Sequence, residues 1–72
     1  MNLSFSPIFR RVRRLMRDGQ ERTSAQAADD LCAGRAVPPE WWRVSRALDL
    51  LVYLNELDAW HAGECWHYCR RR

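Results

Sequence analysis

The chain has 72 residues, 47% hydrophobic and 29% charged, with net charge +3. That is room for one small domain and no more, with a globular rather than a disordered balance. A core this size supplies only ~3–5 kcal/mol, so such chains commonly add disulfides, a metal or a second subunit.

The net charge hides an asymmetry. Residues 1–17 hold five Arg and no acid, residues 18–69 hold four Arg and nine acids, and 70–72 are Arg-Arg-Arg. The chain is therefore an acidic body with two basic ends. All twelve basic residues are Arg. A GC-rich genome would produce this bias, and each Arg can grip carboxylate or phosphate bidentately.

The first predicted helix spans about 7–18, with Ser6 as N-cap, Pro7 at the first position and Gly19 as the stop. Ile8, Val12, Leu15 and Met16 form its apolar stripe, with Phe5 and Phe9 beside it. Arg10, Arg11, Arg13, Arg14 and Arg17 cover the rest. Like charges at i,i+4 cost ~0.2–0.5 kcal/mol a pair, so something acidic should lie nearby: the chain's own body, a partner, or phosphate.

The second predicted helix spans about 24–33. Thr23 and Gln26 make a capping box, and Ala28, Leu31 and Cys32 a narrow apolar stripe. Asp29 and Asp30 face solvent or the arginines of the first helix. A linker follows at 34–37, and Pro38-Pro39 stiffens the start of a third helix, with Glu40 in its first turn.

The stretch Gly34-Arg35-Ala36-Val37-Pro38-Pro39-Glu40 resembles the segment after the recognition helix in small phage Cro-like repressors, over about seven residues. The resemblance implies a recognition helix at 23–33, where Asp29 and Asp30 oppose phosphate. The chain is too short for that family's complete helix set.

The third predicted helix is long, about 39–68, and apolar on two faces. Trp41, Val44, Ala47, Leu48, Leu51, Val52 and Leu54 share the core face, continued by Cys65, Trp66 and Cys69. Leu50, Tyr53, Leu57 and Trp60, with Trp42 and Tyr68 near its ends, form a second stripe that a monomer seldom leaves exposed. Asn55 and Asp58 interrupt the main face: either they are satisfied at a contact, or the helix breaks near Asn55 or at Gly63.

His61, Cys65 and Cys69 at i, i+4 and i+8 fall along one side of such a helix, and Cys32 would complete a Cys3His zinc site. The spacing is not an established zinc-finger pattern, and small Cys residues are commonly core. On a helix Cys65 and Cys69 sit ~5–6 Å apart at Cβ, beyond the ~3.5–4.5 Å of a disulfide. Three reduced cysteines suit a reducing cytoplasm. A His61–Cys65 dyad lacks a third partner and a pocket, which argues against an enzyme.

The longest apolar run, Leu50-Leu51-Val52-Tyr53-Leu54, is too short for a membrane span, and the N-terminus has no secretory core.

These observations predict an all-α, three-helix domain with a long C-terminal helix. It would be a homodimer seamed by Leu50, Tyr53, Leu57 and Trp60. It would act without catalysis or resident cofactor, zinc being the alternative. The leading function is a small regulatory or inhibitory protein that binds an unidentified protein partner through Trp and Arg, in the manner of a bacterial or phage accessory protein. The alternative is a DNA-binding, helix-turn-helix-like regulator whose Arg10, Arg11, Arg13, Arg14 and Arg17 contact phosphates.

Overall fold

A computed structural model of the chain describes residues 6–32 and 41–71. The expected Phe5 contact, the Gly34 stop, the linker with Pro38-Pro39 and Glu40, the Cro-like stretch and Arg72 lie outside the described residues.

Helix α1 spans Pro7–Met16. The Ser6 hydroxyl accepts the Phe9 N–H at 3.2 Å, capping the helix as its sequence predicts. Gly19, at φ 80, turns the chain away. A two-residue strand β1, Arg22–Thr23, leads into α2, Ser24–Leu31. The Thr23–Gln26 capping box closes in both directions, at 3.2 and 2.9 Å. Helix α3 spans Trp41–Tyr53.

The third helix is where expectation and structure part. It does not run to residue 68. The Asn55 N–H donates to the Val52 carbonyl (3.0 Å) and the Glu56 N–H to the Leu51 carbonyl (2.9 Å), with Asn55 at φ 63. This is a Schellman stop with Asn in the left-handed position. Two strands follow, β2 at Leu57–Ala62 and β3 at Cys65–Arg70. The fold is therefore mixed α and β, not all-α: the described residues form three helices and a three-stranded antiparallel sheet of order β1-β3-β2.

The hairpin register pairs Ala62 with Cys65, which leaves Gly63 and Glu64 as a two-residue turn. Positive φ at Gly63 (64°) and not at Glu64 is the pattern of a type II′ turn. A Cβ at Gly63 would meet nothing within 4 Å. Gly63→Ala should therefore cost ~1–2 kcal/mol through backbone conformation alone. Urea denaturation would check this. No loss of stability would mean the turn is of another type.

Directly opposed residues share a sheet face. Leu57, Ala59 and Tyr68 turn inward, while Trp60 and His67 turn outward. The core is Phe9, Val12 and Met16 of α1, Ala27 and Ala28 of α2, Val44, Ala47, Leu48 and Leu51 of α3, and Leu57 and Tyr68 of the sheet. Trp41 and Trp66, expected in the core, are 65% and 54% exposed. Trp41 sits at the outer end of α3, and Trp66 lies near the hairpin turn, beyond the reach of the helices.

Candidate nucleic-acid interface

Helix α3 buries Val44, Ala47, Leu48 and Leu51. Its opposite face carries Trp42, Arg46, Asp49 and Tyr53, all exposed, at i, i+4, i+7 and i+11. The Arg43 guanidinium lies 5.1 Å from the Trp42 ring centre, a cation–π contact that orients both side chains. Arg46 makes no hydrogen bond or ion pair among the described residues, so its charge is free to meet a ligand.

The hairpin is tied to this helix. The buried Tyr68 hydroxyl donates to Asp49 Oδ1 at 2.9 Å. Burial, and then the Asp49 carboxylate, push the Tyr68 hydroxyl up to about 12. The bond fixes the sheet's angle to α3 and draws Asp49 toward the sheet. On the outward face of the hairpin Trp60 stacks on His67 (5.9 Å, 13°), and nearer the turn His61 meets Trp66 edge-on (5.3 Å, 73°). His67 Nδ1 is buried 2.9 Å from Glu21 Oε2 but off the hydrogen-bonding direction, so this is an ion pair only when the ring is protonated.

The five arginines of α1 divide. The Arg11 guanidinium donates to the Leu31 carbonyl (2.8 Å), at the end of α2. Arg13 makes two 2.9 Å contacts with Glu56. Arg10, Arg14 and Arg17 are exposed, and their guanidinium groups have no partner among the described residues. Internal pairing therefore accounts for two of the five, and the outer stripe still lacks a counter-charge.

The second apolar stripe required a continuous helix and is dispersed without one. Leu57 and Tyr68 are core, Trp60 lies on the outward face of the hairpin, Leu50 packs against the core margin, and only Trp42 and Tyr53 remain on the open face of α3. The zinc ligand set is dispersed too. Strand alternation puts His61 on the opposite face from Cys65 and Cys69, while Cys32 Sγ donates to the Asp29 carbonyl at 3.3 Å. Among the described residues, no three His, Cys, Asp or Glu side chains are grouped to hold a metal ion. All three cysteines are free thiols. On one strand, Cys65 and Cys69 are ~13 Å apart, which keeps them reduced for a different reason from the helical one.

Among the described residues, α1 and α2 both pack against α3, and the β2–β3 hairpin lies beside it. No family model and no curated protein matches the sequence. The chain is similar to a solved structure described as giving insights into the DNA recognition and protein interaction domains of HOP2 and its homologous DNA pairing properties. The TM-score is 0.75 over 89% of this chain and 98% of that one, at 14% identity. At that identity the likeness establishes the fold. It agrees with the α-plus-sheet correction and lends no support to a bacterial or phage origin. No helix among the described residues is long and apolar enough to cross a membrane.

Sequence reasoning passed over Arg43 and Arg46. Their signal was present: both avoid the 44, 47, 48, 51 stripe that the helical period assigns to the core.

Proposed function

We propose that this chain is a non-enzymatic DNA-binding module of the regulator type, with α3 as the helix offered to the major groove. The observation that carries this is the open stripe of α3, with α1 and α2 packed on its other side and the hairpin beside it, bearing an Arg46 without a partner among the described residues next to the braced Arg43–Trp42 pair; α2 and α3 then read as the two helices of a helix-turn-helix and the hairpin as its wing. In this reading Arg46 and Arg43 meet phosphate or base edges, Trp42 and Tyr53 supply apolar contact, and Asp49 is held by Tyr68 rather than facing phosphate. This moves the contact from the basic first helix to the third. The likeness to a structure described as containing DNA recognition domains supports the same reading.

Fluorescence anisotropy with a generic duplex, over a salt series, tests it. The expected result is a Kd of ~10⁻⁴–10⁻⁶ M that weakens steeply with salt. Arg46→Gln should then lower low-salt affinity roughly five- to tenfold and reduce the salt slope by ~0.9. An unchanged affinity for that variant would remove α3 from the contact.

A second reading has its own observation. The α3 stripe carries one cation and one anion between two aromatic residues. Beside it runs a groove of about 500 Å³ between Ile8 and Phe9 of α1 and Trp42, Ala47 and Leu50 of α3, with Arg43 and Arg46 also in its lining. Aromatic residues with Arg are the usual anchors of protein interfaces. A regulatory protein that binds a protein partner fits these features, and absence of DNA binding at low salt would favour it.

A further inference from the structure

The basic ends of the chain are 53 residues apart in sequence where Arg17 and Arg70 meet, and the fold brings them to one cleft. The cleft, of about 250 Å³, opens between the last turn of α1, the α3–β2 connection and the end of β3. Among the described residues, Arg13, Arg17, Arg70 and Arg71 line it against a single carboxylate, Glu56, with Met16 and Leu51 among its apolar residues.

Those four cations are not equally committed. Arg13 is matched by Glu56 through two 2.9 Å contacts. Arg71 donates to Asn55 Oδ1 (3.1 Å) and stands 3.8 Å from the exposed Asp58 carboxylate. Among the described residues Arg70 donates only to the Arg17 carbonyl (3.1 Å), a neutral acceptor, which leaves its charge without a counter-charge there. The Arg17 side chain has no partner among the described residues. The negative end of the α1 dipole amounts to about half a charge. It accounts for placing one cation there, not three. The frame is held firmly: the Arg71 N–H donates to the Glu56 carbonyl at 3.0 Å, pinning the exit of β3 to the Schellman turn.

We infer that this cleft is a second phosphate site, gripping a phosphodiester of the duplex that α3 engages. The inference rests on the DNA-binding reading and adds a contact at the far end of α3 from Trp42. Guanidinium forks match the paired free oxygens of a phosphodiester. The excess of cations over acids is the complement of a polyanion. It also gives the basic C-terminus a role that neither the core nor α3 uses.

The test compares three full-length proteins on the same generic duplex across the salt series: wild type, Arg17→Gln/Arg70→Gln and Arg46→Gln. The expected result is that the double variant keeps the wild-type melting temperature, loses at least tenfold in low-salt affinity, and flattens the salt slope by ~2, or ~0.9 per lost phosphate contact. The charge-retaining Arg17→Lys/Arg70→Lys variant should restore the slope, which separates loss of charge from loss of fold. Wild-type affinity and slope in the Gln double variant, while Arg46→Gln is weakened, would overturn the cleft and leave the α3 reading standing. The converse pattern would overturn the α3 contact and keep the cleft. A wild-type protein that ignores the duplex at low salt would overturn both.

Discussion

Leu48→Ala should bring the chain to the edge of unfolding at room temperature. Leu48 is fully buried and lies on the α3 face that packs against α1, α2 and the sheet. Truncating a buried Leu costs ~2–5 kcal/mol, through lost transfer energy and the cavity left behind. A core this size supplies only ~3–5 kcal/mol in total, so the substitution removes most of the margin. Tyr53→Ala, on the same helix but 82% exposed, should change stability by no more than ~0.5 kcal/mol. Far-UV circular dichroism with urea titration would check the pair. A Leu48→Ala protein with a wild-type midpoint would mean that α3 does not sit at the centre of the fold.

Arg22→Ala should cost about 2–3 kcal/mol, a drop in melting temperature of roughly 10–20 °C. Its guanidinium is buried and held by Asp18 at 2.6 and 2.8 Å and by Asp30 at 2.7 Å, joining the end of α1 to α2 through β1. Both carboxylates are nearly half exposed, so solvent can screen them once Arg22 is gone. That keeps the cost below that of breaking a fully buried pair.

The same cluster sets an acid dependence. The hydrogen bond from Arg22, helped by the Gln20 N–H, lowers Asp18 to about 2 from an ordinary 3.8. Above 3.8 Asp18 is ionised both folded and unfolded, and its pairing contributes fully. As the pH falls from 3.8 through about 2, the unfolded chain takes up the proton first and the contribution is lost. Melting curves between pH 5 and pH 2 should show this loss in the wild type, and less of it in Arg22→Ala. Equal acid sensitivity in the two proteins would place the titrating group elsewhere.

Much of the first half of the fold was legible. Ser6-Pro7 and the Thr23–Gln26 box announce two helix starts by local hydrogen bonding, and both form as read. The buried stripe of α3 follows the helical period through Leu51. The two break points at Asn55 and Gly63 were visible as well, but not what lay between them. A short apolar run without strict alternation fits a helix and a strand equally. In 57–70, Trp60, Trp66 and Tyr68 favour strands, and Gly63 opening a two-residue turn marks a hairpin.

Reading that segment as helix put Leu57 and Trp60 on one seam, and His61 with Cys65 and Cys69 on one face; the period of two separates the first pair, and the hairpin register, which sets His61 opposite Trp66, separates His61 from the two cysteines. Arg22 was invisible for another reason. Nothing local shows that a short edge strand will carry a cation into the interior between two acids four and eight residues away.

The central claim is that the open face of α3 is the surface that meets DNA. Amide chemical-shift mapping of the full chain, titrated with a short generic duplex at low salt, tests it most directly. The predicted result is that the largest shifts fall on Trp42, Arg43, Arg46 and Tyr53, with a second set at Arg17, Arg70 and Arg71, and little change at Asp29 and Glu21. Shifts confined to the outer stripe of α1, at Arg10 and Arg14, with α3 unmoved would contradict it.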